Sequence, residues 1–148
     1  AATRAAMEEG IVPGGGIALF NVTTKMEKPV GNPVTGAAHM ILIHALQAPI
    51  TAIVTNSGES ASAIISKLKA RPAGDTWTGF NAVTNSMADL KTAGIIDPLK
   101  VTKTAFLNAI SVAANYLVVG AAVTEIPKKD PSTGSGQEMG IGGGMGGY

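Results

Sequence analysis

The sequence predicts a mainly α-helical domain with a small β-hairpin and a C-terminal strand. Three observations carry that reading. Apolar residues recur at helical spacing through most of the chain, most broadly at Val34, Ala37, Ala38, Ile41, Leu42 and Ala45. Hydrophobic residues make up 45% of the chain but aromatic ones only 4%, so the core must be aliphatic and suited to close helix packing. One run, Thr76-Trp77-Thr78-Gly79-Phe80-Asn81, breaks the helical pattern with the β-branched and aromatic content of a strand. At 148 residues the chain fits one ordinary domain.

Taken in order, Ala1 to Glu9 is rich in helix formers and stops at Gly10, a C-terminal capping glycine, as expected of the end of a longer helix. After Gly10-Ile11-Val12-Pro13-Gly14-Gly15-Gly16, the residues Leu19, Val22 and Met26 share a helical face that Pro29 and Gly31 terminate. Asn32-Pro33 opens the broad apolar stripe, which Pro49 is expected to break while starting a short helix with Ile50, Ile53 and Val54 inward. Asn56-Ser57-Gly58 ends that helix. Ser60 caps the next one, with Ala61, Ile64, Ile65 and Leu68 on one side.

Arg71 to Asp75 reads as a loop, and Ser86 to Leu90 as the hairpin partner of the Thr76 strand. Asp97-Pro98 reads as a cap and first-turn proline opening the longest helix, along which Phe106, Ile110, Ala113 and Leu117 keep the period. The β-formers in Val118 to Ile126 predict the terminal strand. From Pro131 the composition is Ser, Gly, Gln, Glu and Met with few exceptions, which predicts a disordered tail over residues 131–148.

Composition excludes several function classes. Net charge is +1 and the basic groups Lys67-Leu68-Lys69-Ala70-Arg71 and Lys128-Lys129 are short, read as solvated helix ends, so no nucleic-acid footprint is present. The absence of cysteine removes disulfides, thiolate metal sites and a Cys nucleophile. The apolar run from Ala37 to Val54 is interrupted by His39, His44, Gln47 and Pro49 and reads as buried helix, with no membrane role. His39 and His44 are five apart, about 140° round a helix, which misses the spacing of a two-His zinc face. Gly142, Gly144 and Gly147 match GxGxxG only in a glycine tail, and Asn21-Val22-Thr23 is a glycosylation sequon within a predicted helix.

The candidate chemistry lies elsewhere. Gly14, Gly15 and Gly16 lack Cβ atoms and precede a helix, so their amides can face an anion at its positive end, although a turn for close packing is the commoner use. Asp97 has a structural explanation as a cap, and a carboxylate at such a junction can also accept from a ribose hydroxyl pair. Asn81 offers a donor and an acceptor, as an adenine edge requires, or serves as a turn asparagine. No catalytic triad, carboxylate pair or complete P-loop is present.

Several stretches resemble one family in order and spacing. They are Ala2-Thr3-Arg4-Ala5-Ala6-Met7-Glu8-Glu9-Gly10-Ile11-Val12-Pro13-Gly14-Gly15-Gly16, then Phe80-Asn81-Ala82, then Gly94-Ile95-Ile96-Asp97-Pro98-Leu99-Lys100-Val101, then Val123-Thr124-Glu125-Ile126-Pro127 and the closing Gly-Gly-Met-Gly-Gly. Together they resemble the C-terminal part of group I chaperonins, the ATP-driven, ring-forming folding machines. The resemblance implies a multi-helical fragment of the chaperonin equatorial domain. Residues 1–9 would end a helix of the intermediate domain, and residues 10–130 would form the C-terminal half of the equatorial ATP-binding domain.

It also implies nucleotide-binding roles: Gly14, Gly15 and Gly16 against the nucleotide, Asn81 and Ala82 on adenine with Val83 behind them, Ile95 on the base and Asp97 on the ribose. The cofactor implied is ATP with Mg²⁺. The phosphate loop, the metal-binding aspartates and the catalytic residues belong to segments outside this chain, so no catalytic residue and no metal ligand is expected here, and the chain alone is expected to be inactive. The implied partners are identical subunits in a heptameric ring, unfolded client proteins and a co-chaperonin lid, with no nucleic acid and no membrane. The implied location is the cytoplasm or an organellar matrix.

Thr51 and Ser60 stand where double-ring bacterial members commonly carry Arg and Glu, which implies a single ring or a weakly paired double ring. A stand-alone helical interaction module and a different nucleotide-dependent enzyme remain as alternatives. The coding sequence before Ala1 discriminates among the three.

Overall fold

The computed structural model describes residues 1–27, 29, 31–121 and 123. Its elements run α1 (Ala2–Glu9), β1 (Ile11–Pro13), α2 (Ile17–Lys25), α3 (Pro33–Asn56), α4 (Ala61–Lys69), β2 (Thr78–Asn81), β3 (Ser86–Asp89), β4 (Ile96–Pro98) and α5 (Leu99–Val118). The mainly helical class and the hairpin are as the sequence predicts. The tail over residues 131–148 and most of the C-terminal strand lie outside the described residues. What is described there corrects the expectation in part: α5 runs through Val118, and residues 119–121 are irregular.

Local chemistry accounts for most boundaries. Gly10 ends α1 at φ +84°, a conformation favourable only without a Cβ, and its N–H returns to the Ala6 carbonyl at 2.8 Å. Asn32 caps α3 by accepting from the Val34 N–H at 2.9 Å, with Pro33 in the first turn. Ser60 caps α4 through the Ala63 N–H. In the β2–β3 hairpin, Asn81 pairs with Ser86 across a turn in which Asn85 takes φ +49°, a region Asn tolerates.

Three helix expectations are corrected. Pro49 does not break its helix: α3 is continuous from Pro33 to Asn56 and is longer than α5. An interior proline loses a hydrogen bond and costs about 3 kcal/mol. Leu46, Ile50 and Val54, however, form one buried stripe across it, and each fully buried aliphatic side chain contributes about 1.5–3 kcal/mol, so burial outweighs the break. In α2 the buried residues are Ile17 and Phe20, whereas Val22 is exposed, and the helix ends at Lys25, short of Pro29. The stripe at the start of α3 is largely exposed, with Val34, Ala37, Ala38, Ile41 and Ala45 all on the surface of the described residues.

The core sits where α2, the second half of α3, α4 and the hairpin meet. It consists of Ile17, Phe20, Ile50, Val54, Ile64, Leu68, Phe80 and Leu90, with Ala61, Ile65, Met87 and Ile95 packed at its edge. By contrast, α5 has no buried residue. It lies against α1, where Lys100 pairs with Glu8 and Lys103 with Glu9. The Lys100 ammonium holds the Glu8 carboxyl below its ordinary pKa, and Glu8 in turn raises that of Lys100.

By length and composition α3 is apolar enough to cross a membrane, with a mean hydropathy of 1.6 in its most apolar window. Its packing explains this differently from a span. Ile50 and Val54 face the core, and Ala38, Ile41, Leu42, Ala45 and Leu46 line a groove shared with α2 and α5.

Candidate nucleotide site

A short ladder that the sequence did not reveal brings the candidate residues together. β1 pairs antiparallel with β4, with Val12 opposite Asp97 and Pro13 opposite Ile96. The pairing continues past both ends: the Gly14 N–H donates to the Ile95 carbonyl at 3.0 Å, and the Leu99 N–H to the Gly10 carbonyl at 3.1 Å. Two stretches about eighty residues apart are thereby fastened, and the glycine turn is fixed beside Ile95 and Asp97.

Each glycine of the turn has its own reason. At Gly14 a Cβ would stand 3.1 Å from the Ile95 carbonyl carbon, so any other residue would push the strand back by a few tenths of an ångström. Gly15 and Gly16 both have positive φ, +63° and +79°. At Gly16 a Cβ would also lie 2.7 Å from the Ile50 backbone nitrogen, beside Pro49, so this glycine lets the start of α2 touch α3. The turn closes when the Ile17 N–H donates to the Gly14 carbonyl and the Phe20 N–H to the Gly16 carbonyl, both at 3.1 Å. Among the described residues, the amides of Gly15 and Gly16 donate no backbone hydrogen bond. They lie at the positive end of α2, where an anion is favoured.

Asp97 is not the cap of α5. Its backbone belongs to β4, the helix begins after Pro98, and no side-chain cap bond is made there. The half-buried carboxylate instead lines the groove that Gly15 and Gly16 also line, of about 880 Å³ and otherwise almost wholly apolar. The structure therefore places Gly15, Gly16 and Asp97 on one cavity, with Gly14 and Ile95 in contact behind it.

Asn81, Ala82 and Val83 lie at the hairpin and do not line this groove. They are nonetheless next to the turn, since a Cβ on Gly15 would come 3.8 Å from the carbonyl oxygen of Phe80, the residue before Asn81. The Asn81 side chain is half committed. Its Oδ1 accepts from the Val83 N–H at 2.9 Å and the Thr84 N–H at 3.4 Å, the turn role that the sequence offered beside base recognition, while its Nδ2 donates no hydrogen bond among the described residues. Ala82 and Val83 are exposed, Val83 at 92%.

Two residues of this region were not picked out from the sequence. Gly79 is one: a Cβ there would stand 2.5 Å from Leu90 Cδ1 and 2.7 Å from Ile17 Cγ1, so β2 lies flat beneath the first residue of α2 only because it is glycine. Arg71 is the other. It was read within a solvated basic run, but its guanidinium turns inward to hydrogen bond across three elements. A glycine in a short strand is at least a visible signal. An arginine at a helix end carries none.

No three His, Asp or Glu side chains gather among the described residues. His39 is half-buried and His44 exposed. Thr51 donates to the Gln47 carbonyl at 2.9 Å, and Ser60 lies 3.1 Å from the Ser62 hydroxyl while capping α4. Neither side chain carries a charge.

This arrangement of helices and paired two-stranded ladders is a chaperonin fold. It is similar to the open-state monomer of a group II chaperonin from Methanococcoides burtonii, with a TM-score of 0.67 and 20% sequence identity over 74% of this chain and 28% of that one. The TCP-1/cpn60 chaperonin family model matches residues 1–127, and the chain belongs to that family. The likeness to a group II structure at this identity reflects the shared fold and does not separate the two groups. The chain spans just over a quarter of the length of the chaperonin it matches.

Proposed function

We propose that this chain is the C-terminal portion of a group I chaperonin subunit. Residues 1–9 end a helix of the intermediate domain, and residues 10–130 form the C-terminal half of the equatorial domain. The whole subunit assembles with identical copies into a heptameric ring that uses ATP to enclose and fold unfolded proteins, under a co-chaperonin lid bound through other domains. In that assembly this chain supplies one wall of the nucleotide site and part of the surface on which the ring is built.

The observation that carries the reading is the ladder that fastens Gly14 to Ile95 and puts Gly15, Gly16 and Asp97 on one cavity. Backbone amides at the start of a helix suit a phosphate, a carboxylate freed from capping suits a ribose hydroxyl pair, and the Nδ2 of Asn81 suits an acceptor on the base. Gly14 and Ile95 shape the space between, with Ala82 and Val83 flanking the base. When bound, ATP with Mg²⁺ supplies the energy of the folding cycle. The metal ligands and the group that activates water come from the rest of the subunit, so this chain binds and orients and does not cleave.

In the full-length protein, Asp97→Ala is expected to weaken adenine nucleotide binding by about 1–3 kcal/mol in calorimetry, the loss of a charged hydrogen bond. Unchanged affinity overturns the reading. The purified 148-residue chain is expected to show no ATP turnover, and measurable turnover would contradict the assignment of catalysis to other segments. With Thr51 and Ser60 uncharged, the ring pairs weakly or not at all with a second ring, which particle mass in solution tests.

A further inference from the structure

We propose that Arg71 is a positioning residue for base recognition: it clamps the strand that carries Asn81 to the helix that carries the glycine turn. The inference rests on the nucleotide reading above and concerns how the two walls of that site are held in register.

The guanidinium reaches three elements at once. Its Nε donates to the Leu68 carbonyl at 2.9 Å, in the last turn of α4. One terminal nitrogen donates to the Thr78 carbonyl in β2, and the other to Asn21 Oδ1 in α2 at 2.7 Å. Asn21 completes the bridge by donating its Nδ2 to the Thr76 carbonyl at 2.9 Å. Its side chain is thus committed inward, which also accounts for the sequon residue without glycosylation. The charge stands 5.7 Å from the centroid of the Phe20 ring, and Phe20 is fully buried.

Thr78 is held from both sides. Asp75 Oδ1 accepts its N–H at 3.0 Å while Arg71 takes its carbonyl. From that grip β2 runs under Ile17 at Gly79, into the core at Phe80 and out to Asn81. The same α2 that supplies Asn21 begins directly after Gly16. The distance between Asn81 and the glycine amides is therefore governed at one end by the approach of Gly15 to the Phe80 carbonyl and at the other by Arg71 and Asn21. Only a planar fork with several fixed donors serves three acceptors in different elements, and lysine cannot reproduce it. Burial lowers the pKa of Arg71, with Asp75 opposing, as expected of a charge retained for its bonds.

The test compares ADP with inosine diphosphate in the full-length protein, because the ring acceptor that faces a donor in adenine becomes an N–H in hypoxanthine. Arg71→Met keeps the stem over Phe20 and removes every donor, and Asn21→Leu removes the acceptor on α2 without touching Arg71. Both are expected to reduce the ratio of ADP to inosine diphosphate affinity about tenfold, with Arg71→Lys intermediate. An equal loss for both nucleotides would show a merely structural role and overturn the proposal, as would an unchanged ratio. If Arg71→Met does not fold, Asn21→Leu and Arg71→Lys decide the matter alone. Asn81→Ala separates the two levels: an unchanged ratio there refutes base reading by Asn81 itself, whereas a lost ratio there with normal Arg71 and Asn21 variants refutes only the clamp.

Discussion

Along α3, Leu46, Ile50 and Val54 are 3%, 0% and 0% exposed, while Ile41, little more than a turn earlier and equally apolar, is 71% exposed. Ile50 and Val54 meet α2, α4 and the hairpin in a closed core, and Leu46 is buried where it lines the groove. Ile41 meets the groove, whose far wall is a helix with no buried residue. Apolar character decides that a side chain needs cover, and the neighbours present decide whether it gets it. An exposed apolar face of this extent marks an interaction surface, and under the proposed function it seats the remainder of the equatorial domain.

Substitutions in the two halves test that contrast. The largest effect is expected in the closed half. Phe80→Ala should destabilise the chain by about 3–5 kcal/mol in urea denaturation, because it empties a filled site. Ile41→Ala, on the open half, should stay within about 0.5 kcal/mol of the parent in the same assay. Next, Ile41→Ala in the full-length protein should cost about 2–5 kcal/mol, since the side chain is then covered. A small effect in both settings would show that the groove is never closed.

Two glycines give the third pair. Gly16→Ala meets both a positive φ and the Ile50 backbone, and is expected to cost about 1–3 kcal/mol. Gly36→Ala, within α3 and with nothing within 4 Å of its added Cβ, is expected to stabilise by about 0.5–1 kcal/mol. Equal effects would remove the close approach of α2 to α3 as the reason for Gly16.

The smallest effect concerns the loop before β2. The N–H groups of Thr78 and Trp77 hold the Asp75 carboxyl below its ordinary pKa of 3.8. A lowered folded value means that the stabilisation is complete above the ordinary value and is lost as pH falls through the folded one. Asp75→Asn should therefore flatten only the acid limb of a stability-against-pH curve, below about pH 4. The solvated pairs Glu8–Lys100 and Glu9–Lys103 should respond to salt instead.

Where a boundary depends on one residue's own backbone or side chain, it was legible. Gly10, Asn32, Ser60 and Gly58 stop or start helices as local chemistry requires, and the β-branched and aromatic content of Thr76 to Asn81 showed the strand. Where two distant stretches compete for a residue, it was not. Pro49 stays inside α3 because the core holds both flanks, and Asp97 gives up the helix start because Val12 pairs with its backbone. The face of α2 shifted to Ile17 and Phe20 because those positions meet Gly79 and Arg71, which lie far along the chain. The site divides likewise. Its residue types and the turn role of Asn81 were visible, but the bridging Arg71 depends on hydrogen bonds to segments up to 50 residues away that no spacing encodes.

By itself the sequence determined the helical class, the hairpin, the caps and the glycines at which the backbone turns, because propensity and sterics act over a few neighbouring residues. Only the tertiary structure decided which apolar faces are closed, which proline is tolerated and which carboxylate is free to face the cavity. Those outcomes are set by burial and by pairing between segments far apart in the chain, where a kilocalorie or two of packing overrides a local preference.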